Sequence, residues 1–112
     1  MTQDPGLAGL GDILKQAREM SRHVAETREK LRHETYTASV GGDLVTAVVN
    51  GAGEVVKVEI APSALDGDDR EMLEDLVTAA VNEALRKARE ASRQALSRLT
   101  GGIDVAGMLG LS

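Results

Sequence analysis

The sequence has no cysteine, phenylalanine or tryptophan, and Tyr36 is its single tyrosine. Without cysteine, disulfides, thiolate metal sites and thiol nucleophiles are excluded. Without large aromatic side chains, the core must be built from Val, Leu, Ile, Met and Ala. A chain of 112 residues fits one small domain with a modest core. The same shortage argues against single-stranded nucleic acid, because proteins that bind it stack bases on aromatic side chains.

Signals for secretion, membrane insertion and catalysis are also missing. The N-terminus lacks a basic region followed by an apolar run, and no apolar stretch approaches the roughly 20 residues that cross a membrane. Ser, Asp and His residues are scattered without a nucleophile motif. His23 and His33 have no cysteine nearby, so a surface or packing role is favoured over a metal site. We expect a cytoplasmic protein that is not an enzyme, with no cofactor, no metal, no membrane partner and no small-molecule substrate.

The charged residues are segregated along the chain, which the net charge of -5 conceals. Residues 54–75 carry eight acidic side chains against two basic ones. Residues 86–98 carry five basic against one acidic, and residues 15–32 carry six basic against three acidic. Two separate basic segments indicate attraction to an anionic partner. Pairs at helical spacing, Glu26 with Lys30 and Glu83 with Lys87, offer the alternative that these charges merely support helices.

Residues 69–98 are the most informative segment, because apolar residues recur along it with helical spacing. A helix of this length spans roughly 45 Å, whereas a compact domain of this size has a radius of gyration of about 13 Å. The helix should therefore project beyond the core and carry its basic end with it. Its predicted apolar face contains Leu73, Leu76, Val77, Ala80, Ala84, Ala88, Ala91 and Ala95.

One helix and three strands are predicted before this long helix. Between about Leu10 and Glu34, apolar residues recur every seven positions, as in a coiled coil. Asn50-Gly51 is a hairpin signal between two strand-like stretches. Short loops favour an antiparallel meander with one covered and one wetter face. The predicted strands lie at 36–40, 44–49 and 54–60, and a single helical turn is predicted at 62–66.

These elements predict an α+β fold of the order α-β-β-β-α, with a three-stranded antiparallel sheet and two long projecting helices. The domain is expected over residues 10–100. Residues 1–9 are expected to form a flexible N-terminus, and residues 101–112 an apolar, Gly-rich tail. Asp66, Asp68 and Asp69 suit the start of the long helix, because carboxylates there accept hydrogen bonds from free backbone N–H groups. A calcium site is disfavoured, because the spacing of a calcium-binding loop is not matched.

Antiparallel packing of the two helices would bring their basic residues together at a tip far from the sheet. The alanine-rich face of the second helix would allow the close approach. Arginine forks pair well with phosphate oxygens, so the backbone of duplex DNA is one anionic partner that such a tip would suit, beside the alternative of ordinary solvated helix faces. Gly51-Ala52-Gly53 resembles part of a phosphate loop, but a turn is favoured because a strand follows it. The predicted DNA-binding residues are Lys15, Arg18, Arg22, Arg86, Arg89, Arg93 and Arg98.

Four segments stand out together: GLGDILKQAREM, GGDLVTAVVNGAGEVVKVEI, DDREMLEDLVTAAVNEALRKA and LTGGI. Over nearly the whole chain they resemble the YbaB/EbfC family of nucleoid-associated proteins. The resemblance implies a bacterial, cytoplasmic homodimer whose paired helices project like the arms of tweezers and bind DNA. The expected function is to grip duplex DNA through basic helix tips, with an influence on nucleoid organisation and gene expression.

A homodimer is also expected, because a lone chain would expose a sheet edge and the apolar stripe of the first helix, whose residues recur every seven positions. The alternative function is a dimeric protein–protein interaction adaptor without direct DNA binding. Its docking surfaces would be the apolar tail and the acidic sheet region. The residues assigned to the core and the dimer contact are Leu10, Ile13, Ala17, Met20, Val24, Leu31, Val56 and Val58.

Overall fold

The computed structural model describes the backbone of residues 5–99 and the side chains of residues 9–99. The predicted α-β-β-β-α order is confirmed, including the short helical turn before the last helix. The predicted tail at 101–112 lies outside the described residues. The elements are α1 (Pro5–Arg32), β1 (Thr35–Val40), β2 (Val45–Asn50), β3 (Val55–Ile60), a 3₁₀ turn (Pro62–Leu65) and α2 (Arg70–Leu99).

The first helix begins earlier than the sequence predicted. Residues 1–9 were assigned to a flexible N-terminus, but α1 starts at Pro5. Proline suits the first turn of a helix, because the N–H it lacks would have no intrahelical partner there. Gly9 and Gly11 lower the helix propensity of this stretch, which is why the pattern alone placed the start nearer Leu10.

The three strands form an antiparallel sheet in the order β1-β2-β3. Ala47, on the central strand, pairs with Ala38 on one side and with Val58 on the other. Alternate residues of β1 and β2 face α2 and are buried or half-buried. The opposite face carries hydroxyls such as the hydrogen-bonded Ser39 and Thr46, with 2.8 Å between their oxygens. One face of the sheet is therefore covered and the other is polar.

Helix α2 lies across this covered face through its smallest side chains. Ala80, Ala84 and Ala88 are completely or almost completely buried against β1 and β2. Asp69 caps the helix, because its Oδ1 accepts a hydrogen bond from the N–H of Met72 at 2.9 Å. The sequence predicted that the alanine-rich face of α2 would pack against α1. Ala84 and Ala88 of that face pack on the sheet instead, because two-thirds of α2 is needed to cover the strands.

Among the described elements, helix α1 packs against the rest of the structure only at its C-terminal end. Leu31 is buried, and Val24 and Thr27 are half-buried. Every described residue of α1 before Val24 is exposed. The molecule is accordingly elongated, with extents of 82 × 25 × 17 Å. The two helices leave the sheet side by side in opposite chain directions, but they overlap only where the last turns of α1 meet the last turns of α2.

Gly51 joins α1 to the sheet. Its N–H donates to the carbonyl oxygen of Leu31 at 3.0 Å and to that of Glu34 at 3.1 Å. A Cβ atom at this position would lie 2.3 Å from the Leu31 oxygen, which is too close for any side chain. The hairpin signal at Asn50-Gly51 therefore marks more than a turn, because the same glycine fixes where α1 departs from the sheet.

Replacing Gly51 with Ala should lower the free energy of unfolding by about 2 kcal/mol or more, because the added methyl group must push the α1 terminus away and break both hydrogen bonds. Thermal or urea unfolding followed by circular dichroism would measure this. The matched control is Gly11→Ala, where a Cβ meets no atom within 4 Å on an exposed part of α1. That variant should keep or raise stability, since alanine favours helix. Equal stability of the two variants would contradict the proposed junction.

Candidate functional site

A groove of about 490 Å³ runs between α2 and the turn that joins β2 to β3. Arg86, Arg89 and Arg93 border it, and we call these three residues the α2 basic face. They share one side of the helix because they lie three and four residues apart. Ala88 and Leu96 supply the apolar part of the groove, and Gly51–Gly53 form its opposite wall.

Two arginines of the α2 basic face are held by carboxylates on the same helix. Arg93 donates through Nε to Glu90 Oε2 at 3.2 Å and through Nη2 to Glu90 Oε1 at 2.8 Å. Arg86 donates in the same way to Glu83, at 3.0 and 2.7 Å. Within the described residues, Arg89 has no such ion pair.

These contacts lower the pKa of both carboxyl groups. Hydrogen bonds from Arg93 hold the pKa of Glu90 below its usual value, with smaller help from the charge of Arg93. Hydrogen bonds from Arg86 do the same to the pKa of Glu83. Because both carboxylates remain partly open to solvent, the pairs affect the local arrangement of charge more than they affect stability.

The ion pairs expected from spacing differ from those in the structure. Glu83 pairs with Arg86 instead of Lys87, whose Nζ donates to the carbonyl oxygen of Thr37 at 2.9 Å. Lys87 reaches the sheet because it lies beside the buried alanine face. Glu26 likewise pairs with Arg22 at 3.7 Å instead of with Lys30.

The turn on the other wall of the groove does not form a phosphate loop. The N–H groups of Ala52 and Glu54 both donate to Asn50 Oδ1 at 3.0 Å, and that of Gly53 donates to the Asn50 carbonyl oxygen. The N–H of Gly51 is used by the α1 terminus. All four backbone donors therefore have partners within the chain, which supports a structural turn.

The predicted DNA-binding residues fall into separate groups. Lys15, Arg18 and Arg22 lie on the exposed part of α1, before the region that meets α2. Arg98 instead borders a cavity between the two helices, together with Lys30, which the sequence pattern did not single out. The structure thus brings together the α2 basic face, and it places the α1 residues beyond the overlap of the helices instead of directly beside it.

Most residues assigned to the core and dimer contact are not part of the chain's own core. Leu31 is buried, and Val24 and Val58 are half-buried. The other five are exposed in the part of the chain that the structure describes, and their assignment to a dimer contact stays a prediction. The exposed set comprises Leu10, Ile13, Ala17, Met20 and Val56.

Other kinds of site find little support in the part of the chain that the structure describes. His23 on α1 and His33, the residue that follows α1, are exposed, and each lies near a glutamate. Over the described residues, no group of three or more His, Asp or Glu side chains is placed to hold a metal ion. Neither α1 nor α2 has the length and apolar content of a membrane-spanning helix.

Comparison with known proteins identifies a family over almost the whole chain. Residues 6–103 match the model of the YbaB/EbfC DNA-binding family. A nucleoid-associated protein of Thermoanaerobacter sp. (strain X514) is 43% identical over 104 residues, which cover 93% of this chain and 94% of that relative. One from Clostridium acetobutylicum is 37% identical over 106 residues, with coverages of 93% and 95%.

A solved structure also shares the fold. The crystal structure of an uncharacterized protein, HP0035 from Helicobacter pylori, superposes with a TM-score of 0.61 at 25% sequence identity. The superposition covers 70% of this chain and 92% of that one. The likeness agrees with the arrangement of two helices and three strands described above.

Replacing Arg93 with Gln should raise the pKa of Glu90 towards its ordinary value, because the principal hydrogen bonds to that carboxylate would be lost. The carboxyl pKa can be followed by NMR titration of labelled glutamate side chains. Arg86→Gln is the internal control, and it should raise the pKa of Glu83 far more than that of Glu90. If Arg93→Gln left the pKa of Glu90 unchanged, the pair would not persist in solution.

Proposed function

The chain belongs to the YbaB/EbfC DNA-binding family and is a nucleoid-associated DNA-binding protein; we propose that it grips duplex DNA as a homodimer through its basic helix segments. In this proposal the α2 basic face and the basic residues of α1 contact phosphates, and the sheet serves as the scaffold. The protein acts in the cytoplasm at the nucleoid, where it influences nucleoid organisation and gene expression. It has no catalytic role and no small-molecule substrate.

The observation that carries this proposal is the position of the α2 basic face. Arg86, Arg89 and Arg93 are exposed on a part of α2 that borders an open groove at the edge of the sheet and continues beyond it. A guanidinium group donates two parallel hydrogen bonds to phosphate, and it is always charged at physiological pH. Single-stranded nucleic acid is a poorer fit, since Tyr36 is half-buried and bonded to Glu34.

The homodimer is supported by apolar surface that the single chain leaves open. Leu10 and Ile13 belong to the apolar stripe of α1 that repeats every seven residues. Ile13 is 62% exposed and Leu10 is 49% exposed. Val56 on the edge strand β3 is 57% exposed. Burial of such residues against their symmetry mates would remove them from water, and a two-fold arrangement lets the same patch serve both protomers.

Dimerisation through the α1 stripe would leave the basic residues of that helix available. Successive residues turn by about 100° around a helix, so Lys15 and Arg22 point well away from the stripe that contains Ile13 and Ala17. Pairing two protomers would therefore present two copies of each basic group. This doubling raises the number of phosphates that one assembly can neutralise.

Replacing Ile13 with Glu should convert the dimer to monomer, because two charges would be forced into an apolar contact. Light scattering should then give the 11.8 kDa mass of one chain. The melting temperature should also lose its dependence on protein concentration, as expected when folding is no longer coupled to association. Ala25→Glu adds the same charge at an exposed position about 100° around α1 from the middle of the stripe, and it should remain dimeric. A parent protein that is monomeric at all concentrations would contradict the proposal.

Replacing both Arg89 and Arg93 with Ala should weaken duplex DNA binding irrespective of sequence. Each lost phosphate contact should flatten the dependence of log affinity on log salt by about 0.9. Fluorescence anisotropy with a generic duplex at several salt concentrations would measure both quantities, and circular dichroism would check the fold. The exposure of both side chains predicts that the fold is kept.

The matched control for that variant is Lys57→Ala combined with Arg70→Ala. It also removes two positive charges, but from the edge strand and from the first turn of α2. Both of these side chains are in ion pairs, Lys57 with Glu59 and Arg70 with Glu74. Its affinity and salt dependence should stay close to those of the parent. If the Arg89/Arg93 variant bound duplex as the parent does, the adaptor hypothesis would replace direct DNA binding.

A further inference from the structure

We infer that Glu83 and Glu90 limit the DNA affinity of the α2 basic face, because they occupy Arg86 and Arg93 and leave Arg89 as the arginine that meets phosphate first. The inference rests on the proposed function, since it concerns the strength with which the same face holds DNA. It assigns a role to Glu90, the one acidic residue of the basic segment 86–98, and to Glu83 just before that segment.

The hydrogen bonds show how much of each arginine is in use. Arg93 presents Nε and Nη2 to the two oxygens of Glu90, and Arg86 presents the same two nitrogens to Glu83. This edge of the guanidinium is one that would otherwise donate in parallel to a phosphate. A phosphate that binds this edge of either guanidinium group must therefore displace the carboxylate.

No other residue that lines the groove carries a charge that could compete with the arginines for Glu90. The groove's other lining residues are the turn Gly51–Gly53, Ala88, Ser92 and Leu96, which carry no charge. Glu54, just beyond the turn, accepts a hydrogen bond from Asn50 Nδ2 at 3.0 Å. Among the lining residues of the groove, Arg86, Arg89, Arg93 and Glu90 carry charge, and all four lie on α2.

Proximity, and not total charge, makes these two glutamates special. Glu74 lies about 24 Å along the helix from Glu90, which is well beyond the Debye length of about 8 Å at physiological salt. Glu74 is also in an ion pair, with Arg70 at 3.1 Å, and Glu59 pairs with Lys57 at 2.7 Å. The two carboxylates are thus equivalent in charge and pairing to Glu83 and Glu90, and neither lines the groove.

The test compares two double variants of the full chain, Glu83→Gln/Glu90→Gln and the control Glu59→Gln/Glu74→Gln. Binding to a generic duplex is followed by fluorescence anisotropy over a series of salt concentrations. The first variant should bind about four- to tenfold more tightly at low salt, since each exposed pair is weak but occurs in both protomers. Its salt slope should steepen by about 0.9 for each phosphate newly contacted. The control should differ from the parent by less than about twofold.

A second comparison tests whether Glu90 acts through Arg93. In an Arg93→Ala background, Glu90→Gln cannot free an arginine, so the salt slope should not change. A slope that steepens equally in that background would overturn the inference. Thermal unfolding followed by circular dichroism should show that all variants keep the parent fold.

The outcomes separate this inference from the function on which it rests. If the parent binds duplex and Arg89→Ala weakens binding, but the Glu83/Glu90 variant behaves like the control, then the inference fails and the proposed function stands. If the parent shows no affinity for duplex at low salt, the proposed function fails and the inference fails with it.

Discussion

The close packing of the alanine face of α2 on the sheet determines the rest of the structure. Ala80, Ala84 and Ala88 have side chains small enough to bring the helix backbone close to β1 and β2, and the core of this chain contains no large aromatic residue to hold them apart. This contact uses the first two-thirds of α2. The last turns then extend past the sheet, and the α2 basic face lies where α2 leaves the sheet, beside the turn that joins β2 to β3.

The second constraint is the narrow attachment of α1. The N–H of Gly51 donates a hydrogen bond to the carbonyl oxygen of Leu31 near the end of that helix. Leu31 is the one described residue of α1 that is buried. A helix held only at one end gains little from tertiary packing, although packing supplies most of the stability of helices in proteins. The exposed stripe of α1 is therefore the surface on which the proposed homodimer depends.

The sequence predicted the order and the type of every element, because the helical and strand periodicities are strong and the turns carry clear signals such as Asn50-Gly51. It could not predict which alanines of α2 face the sheet and which face α1, since both surfaces accept small side chains with the same spacing. It also misjudged the ion pairs. The i,i+4 pattern suggested Lys87 for Glu83, but Lys87 is drawn to the carbonyl oxygen of Thr37 and Arg86 takes its place. Such choices depend on tertiary contacts that spacing does not contain.

The segregation of charge explains how a chain with a net charge of -5 can belong to a DNA-binding family. Asp75 and Arg89 are separated by about 21 Å along α2, more than twice the Debye length at physiological salt. Phosphates near the α2 basic face are therefore screened from most of the acidic residues around the start of that helix. What such a phosphate meets is the local balance of arginine and glutamate, so the affinity depends on individual ion pairs far more than on the charge of the whole protein.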